Sequence, residues 1–488
     1  MRRRDVVVPL ALLIGAKLLL HLITNQQYGF HRDELATIDD ARHLAWGYVA
    51  YPPLTPFVGR IVLTLFGASL TGIRFFAALA QCAAIAVAAL TARDLGGERW
   101  AQLTAAIAVL VAPVSLAASS LFQYVSFDYL WWVLIAWFVV RLIVTGDARW
   151  WLAIGATIGV GVLTKYTIAF FVAGVVAAVL FTPLRAHLRT KWLWLGAALS
   201  IAIAAPNLVW QATHGFVSLE FLHDIHARDV RIGRTSHFFV EQLYVGANAL
   251  TLPLWIAGLV AVWREPRWRP LGWLAVVPFA LFALAHGRGY YTAPLFPMLL
   301  AAGAVSLERM LPRVGRIAIA TLGAAGIVIA LVLLPIAPIG SKLWNVASKV
   351  NEDLREEVGW PELVGEVARI YATIPPAERA RTAIYCGNYG EAGAVDLYGP
   401  ARGLPNAISG INSYWARGYG NPAPETVIVV GSKREELEQV FESVQLAGQI
   451  TNRFGVANEE TMRHREIFVG RRLRTPWPEL WPKIRSFG

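Results

Sequence analysis

Repeated apolar runs constrain this chain more than any other feature. Apolar windows lie at roughly 5–24, 72–92, 101–118, 128–145, 150–164, 167–184, 191–210, 243–263, 270–286, 291–307 and 316–338. A helix of about 20 such residues crosses the ~30 Å hydrocarbon layer of a bilayer. The composition agrees: 56% of the 488 residues are hydrophobic and only 16% charged, against about half and a quarter in soluble domains. These windows predict a polytopic α-helical membrane protein with about eleven crossings. The net charge of +11 does not argue for a nucleic-acid partner, because the arginines gather in short loops between apolar runs, as orientation determinants do. With Arg2 to Arg4 cytoplasmic, the basic loops holding Arg93, Arg99, Arg141, Arg149, Arg185, Arg189, Lys191, Arg264, Arg267, Arg269, Arg309, Arg313 and Arg316 fall on that same side. An odd number of crossings then leaves the C-terminal region outside. No small-residue cleavage site follows the first window, which reads as a retained span. Cys82 and Cys386 offer neither a disulfide framework nor a thiolate metal cluster.

Residues 25–71, between the first two crossings, are too polar for another span and form the first outer loop. Within it, Leu35 to Trp46 fits an amphipathic helix, Tyr51-Pro52-Pro53 breaks it, and Leu54 to Gly67 reads as an interfacial half-helix. From about residue 340 the composition becomes soluble. Thr382–Cys386 and Thr426–Val430 are short β-type runs, while 351–357 and Lys433 to Glu438 are helix-like. The chain therefore divides into a membrane part, 1–339, and a soluble extracytoplasmic α/β domain, 340–488.

Under this topology five polar clusters face one compartment. Arg32-Asp33-Glu34 offers a carboxylate that can take a proton from a hydroxyl nucleophile, with a partner acid to bind or orient; Arg32 can equally form a simple ion pair. Asp128 either caps the N-terminus of its helix or complements the first loop in binding acceptor or metal. Lys165, alone between apolar segments and followed by Tyr166, either snorkels to the interface or neutralises a lipid-linked phosphate. Arg288 lies between glycines that permit close approach, and suits bidentate phosphate binding; the adjacent Tyr290 and Tyr291 read as an aromatic belt or a sugar platform. Finally, His223 and His226 are weak candidates for a divalent cation, and Arg228, Arg231 and Arg234 have helical spacing suited to a phosphate, a pyrophosphate or anionic headgroups. An ordinary amphipathic interfacial segment explains that loop better than a metal site does.

Several segments together resemble the bacterial branch of the protein-mannosyltransferase superfamily, the GT-C glycosyltransferases of the glycosyltransferase 39 and aminoarabinose-transferase type. They are Phe30-His31-Arg32-Asp33-Glu34-Leu35, Arg42-His43-Leu44-Ala45-Trp46-Gly47-Tyr48, Tyr51-Pro52-Pro53-Leu54, Gly161 to Thr167, Tyr290 to Pro297, Gly387 to Gly393 and Ser409 to Trp415. The resemblance implies a multi-pass enzyme of the bacterial inner membrane with its active site on the extracytoplasmic side. It would be a hexosyl- or pentosyltransferase moving a sugar from a polyprenyl-phosphate donor, with inversion, to a hydroxyl on a glycan, lipid or protein. Asp33 would deprotonate or position the acceptor, with Glu34 as paired acid and Asp128 as a second-loop partner. Lys165 and Arg288, with Tyr166, Tyr290 and Tyr291 nearby, would hold the departing phosphate. Some relatives use a divalent metal ion; no organic cofactor is implied. The Gly387–Gly393 segment lacks the Gly-Lys-Ser/Thr ending of a phosphate loop and reads as a turn. The rival outside this class is a transporter or flippase of polyprenyl-linked sugars, with polar residues at mid-span in broken helices.

Overall fold

The computed structural model describes residues 4–311 and 314–488; Arg2, Arg3 and Arg313 of the basic segments lie outside the described residues. The membrane part begins with α1 (Arg4–Thr24), and the first loop carries α2 (Arg32–Arg42) and α3 (Leu54–Phe66). Then follow α4 (Leu70–Asp94), α5 (Arg99–Leu110), the short α6 (Pro113–Ala117), α7 (Tyr124–Thr145), α8 (Trp150–Val162), α9 (Ile168–Phe181), α10 (Lys191–Thr213) and α11 (Val217–Arg231). Helices Leu252–Arg264, Arg269–Leu284, Phe296–Met310 and Val314–Leu333 complete the bundle. Each of the eleven apolar windows contains helix. Among the described residues, however, six helices are long and apolar enough to cross a bilayer, or up to eight when each sharply bent pair counts as one. The difference lies in interruptions. The 101–118 window breaks before Pro113, and α8 and α9 are separated by the turn that carries Lys165. Small residues let the helices approach closely: a side chain at Gly155 would strike the backbone at Gly196, and one at Gly196 the backbone at Trp151.

The two ends of the bundle differ in charge. At one end, Arg141 pairs with Asp94 at 3.4 Å, Arg309 donates to the Leu95 carbonyl at 3.3 Å, and Arg149 lies over Trp192. These are the basic loops. At the other end Asn25 donates to the Ser119 carbonyl at 2.9 Å and the Leu54 amide to the Leu163 carbonyl at 2.8 Å. That end gathers the first loop, the turn after α6 and the Lys165 turn.

The tail sits there too. Its five-stranded sheet has the order β2-β1-β3-β5-β4, formed by β1 (Thr382–Cys386), β2 (Ala407–Ile408), β3 (Thr426–Val430), β4 (Phe441–Gln449) and β5 (Glu466–Leu473). Strand β1 pairs in parallel with β2 and β3, whereas β5 is antiparallel to β3 and β4. The parallel strands β1 and β3 are the two continuous apolar runs of the tail, as burial on both faces requires. Gly387–Gly393 is not a turn. The Asn388 side chain accepts the Glu391 amide proton at 2.9 Å, and the Glu391 carboxylate accepts the Asn388 amide at 3.3 Å. This capping box starts the helix Tyr389–Tyr398. One apolar core joins this tail to the first loop, uniting Leu35, Ile38, Phe122, Trp360, Ile384, Val395 and Ile428.

Candidate active site

The first turn of α2 sets one wall of the site. His31 caps it: its Nδ1 accepts the Asp33 amide proton at 3.2 Å, while the Glu34 carboxylate accepts the His31 amide at 2.9 Å. Asp33 and Glu34 thus lie where the helix terminus favours negative charge, but they face different surroundings. Asp33 lines a cavity of 1310 Å³ at the end of the bundle that carries the tail. The Tyr389 hydroxyl donates to its Oδ1 at 2.8 Å, and the Gln123 amide donates to Oδ2. Both donors are neutral, and the nearest basic atom is His31 Nδ1, 3.9 Å from Oδ2.

Glu34 is not a second acid of the cavity, which corrects the expectation from its position beside Asp33. It is fully buried, receives Arg74 Nε at 2.8 Å and Nη2 at 2.7 Å, and accepts the Phe122 amide at 2.9 Å. Every lone pair within reach is taken, so it holds α2 against α4 and the α6–α7 turn. Asp128 is also buried away from the cavity surface. It lies in the second turn of α7 and does not cap it: Trp132 Nε1 donates to Oδ1 at 3.0 Å and Lys165 Nζ stands 4.0 Å from Oδ2. Asp128 is therefore the counter-ion of Lys165.

Lys165 and Arg288 line the same cavity as Asp33. The Lys165 ammonium sits 4.1 Å from the centroid of the Tyr291 ring, 5.4 Å from that of Tyr290 and 5.5 Å from that of Tyr124. Burial pushes its pKa down to about 8, with Asp128 opposing and the charge of Arg288 adding to the fall. An anion arriving here would restore full protonation. Arg288 is held by the buried carboxylate of Asp229, whose Oδ2 accepts Nε at 2.6 Å and lies 2.5 Å from Nη2. Tyr166 also lines the cavity; its hydroxyl donates to Asn207 at 3.0 Å and accepts from Gln211 at 2.8 Å.

Arg228, Arg231 and Arg234 all reach the cavity, but α11 ends at Arg231, so Arg234 lies in the turn beyond it. Arg32 reaches the cavity as well. Its guanidinium pairs with Glu459 and stacks over Tyr389 at 5.0 Å. His223 and His226 are exposed, and among the described residues no three His, Cys, Asp or Glu side chains converge as metal ligands.

Most residues missed by sequence reasoning act on those it found. Arg74 neutralises Glu34, Asp229 orients Arg288, and Gln123 and Tyr389 fix Asp33. A further missed cluster joins loop and tail: Arg417 pairs with Asp39 and, at 2.7 Å, with Asp40, whose other oxygen accepts from Tyr51 at 2.7 Å. An acidic residue amid arginines, as at Asp229, was a usable signal. The remaining partners are too distant in sequence to announce themselves.

A helical bundle with its loops and an α/β tail thus close over one polar cavity. Residues 50–210 match the dolichyl-phosphate-mannose-protein mannosyltransferase family. The chain is 27% identical over 262 residues to the lipid A galacturonosyltransferase RgtD of Rhizobium johnstonii, which covers 51% of this chain and 54% of that protein. It is 27% identical over 265 residues to the undecaprenyl phosphate-alpha-4-amino-4-deoxy-L-arabinose arabinosyl transferase 1 of Pseudomonas fluorescens, covering 50% and 48%. The chain thus spans about half the length of the curated relatives it matches. The crystal structure of ArnT from Cupriavidus metallidurans bound to undecaprenyl phosphate shares the fold, with a TM-score of 0.62 at 17% identity over 94% of this chain and 97% of that one. The chain thus shares the GT-C fold of ArnT, and over part of its length its sequence resembles aminoarabinose transferases and the dolichyl-phosphate-mannose-protein mannosyltransferase family.

Proposed function

We propose that this chain is a membrane glycosyltransferase that moves a sugar from a polyprenyl-phosphate donor to a hydroxyl acceptor, on the extracytoplasmic side of a bacterial inner membrane. One observation carries the reading: a carboxylate, Asp33, and two cations, Lys165 and Arg288, line a single cavity. Asp33 takes the proton of the acceptor hydroxyl as its oxygen attacks the anomeric carbon. The bond from that carbon to the phosphate oxygen breaks, and Lys165 and Arg288 carry the charge left on the lipid phosphate. Attack opposite the leaving group inverts the anomeric centre. Arg228, Arg231 and Arg234 extend the cationic side toward lipid headgroups. The relatives support a polyprenyl-phosphate donor and an envelope lipid as acceptor, since one is named for lipid A and the other for an undecaprenyl-phosphate-linked sugar. No step is assigned to a divalent metal: among the described residues no three His, Cys, Asp or Glu side chains converge as ligands. The transporter reading is disfavoured: Asp33 in the first turn of α2, Lys165 in the turn between α8 and α9 and Arg288 in the segment after Leu284 gather at one end of the bundle, outside the membrane-spanning helices.

The test uses membranes from a deletion strain carrying the variant chain, with lipids followed by mass spectrometry. Asp33→Asn is expected to leave the prenyl-linked sugar accumulating although the protein inserts and folds. Lys165→Ala is expected to raise the donor concentration needed for half-maximal transfer by about 10-fold or more, the scale of losing one charge-assisted contact. Wild-type transfer by Asp33→Asn would reject the assignment.

A further inference from the structure

The tail is more than a cover for the cavity. Tyr389 begins a helix whose start is fixed by the Asn388–Glu391 capping box, and whose Gly390 and Gly393 lie close against α2. That docking brings the Tyr389 hydroxyl to 2.8 Å from Asp33 Oδ1. The ring is itself held, with the Arg32 guanidinium 5.0 Å from its centroid and Arg32 in turn paired with Glu459. On the opposite side Gln123, the residue before α7, donates to Oδ2. Each carboxylate oxygen therefore accepts one bond from an uncharged donor, which sets the plane of the group. Each oxygen also keeps a lone pair free. Tyr389, Gln123 and Asp33 all line the cavity.

We propose that Tyr389, supplied by the tail, is a positioning residue of this site, holding the Asp33 carboxylate together with Gln123 in the orientation that receives the acceptor's proton. The inference rests on the reading of Asp33 as base given above. It makes the active site a joint product of membrane part and tail. Undocking the tail would leave Asp33 on α2 with the Gln123 amide as its one remaining side-chain donor.

The experiment uses the full chain in lipid nanodiscs. The donor is the polyprenyl-phosphate sugar pool extracted from the deletion strain, and undecaprenyl phosphate serves as a non-transferable binding probe. Tyr389→Phe keeps the ring and removes only the hydroxyl. Expected is a fall in kcat of about 10- to 100-fold, the scale of a misplaced catalytic group, with undecaprenyl phosphate affinity within about twofold of wild type and an unchanged melting temperature. Gln123→Ala changes kcat in the same direction and guards against a folding defect peculiar to the first variant. Wild-type kcat in both variants, beside an inactive Asp33→Asn, overturns the role of Tyr389 alone. Wild-type turnover by Asp33→Asn overturns both that role and the reading beneath it.

Discussion

Asp33 and Glu34 are neighbours with opposite fates because successive residues in a helix point about 100° apart. One side chain meets the cavity and the other meets Arg74. Glu34→Gln leaves the Arg74 guanidinium buried with Glu357, 3.3 Å away, as its remaining carboxylate partner. Breaking a buried pair in this way costs about 3–5 kcal/mol. The variant is therefore expected to show a markedly lower melting temperature in detergent, whereas Asp33→Asn should melt near wild type. Equal melting temperatures for the two would refute the division of roles. The sequence placed Asp33, Lys165 and Arg288 on one side, since charge in short loops and interrupted apolar runs report sidedness directly. It could not separate Asp33 from Glu34. The discriminating partner, Arg74, is 40 positions away inside an apolar helix, where an arginine is an unexpected residue. The same holds for Asp128, whose tie to Lys165 depends on how α7 packs beside the α8–α9 turn.

The close approach of α2 to the helix Tyr389–Tyr398 depends on Gly393. A Cβ there would stand 2.8 Å from the carbonyl carbon of Leu35 and 2.9 Å from its oxygen, and backbone cannot yield as a flexible side chain can. Helix propensity alone favours alanine over glycine by about 1 kcal/mol. Gly393→Ala should nevertheless destabilise, by forcing the helices apart, and should lower transfer along with stability. A variant that melts higher than wild type would show that propensity wins and that the contact is loose. Helices were the legible elements, because apolar windows and Pro breaks mark them locally. The strands β4 and β5 went unread. Phe441–Gln449 mixes polar and apolar residues without steady alternation, and its pairing with β5 crosses a register shift between Leu446 and Gly448. The helix α11 was read as an interfacial segment. It is flanked by left-handed residues at Gly215, Phe216 and Gly233, and fastened through Asp229 to Arg288 and through Glu220 to Arg485 at 2.7 Å.

For the molecule as a whole, the junction between first loop and tail is rich in carboxyl groups with raised pKa. Burial, with Glu460 adding, pushes Glu391 up to about 8. Burial likewise takes Glu357, Glu460 and Asp40 to about 7, and Asp396 also reaches about 7. Unfolded carboxyls titrate near 4, so between about pH 4 and 8 the folded chain binds more protons than the unfolded one, and stability falls as pH rises. Asp39 and Glu459, held low by their basic partners in spite of burial, act in the opposite sense only below about pH 4 and leave this window unchanged. The full chain should therefore melt at a higher temperature, and resist added protease better, at pH 6 than at pH 8.5. The reverse order would contradict this account.

Because Leu35 and Ile38 of the first loop share one apolar core with Ile384, Val395 and Ile428 of the tail, the two segments form a single inheritable unit despite the hundreds of residues between them. Grafting a foreign tail onto this bundle would require transplanting α2 with it. A chimera joined only near residue 340 would expose greasy surface on both halves and lose the hydroxyl that braces Asp33.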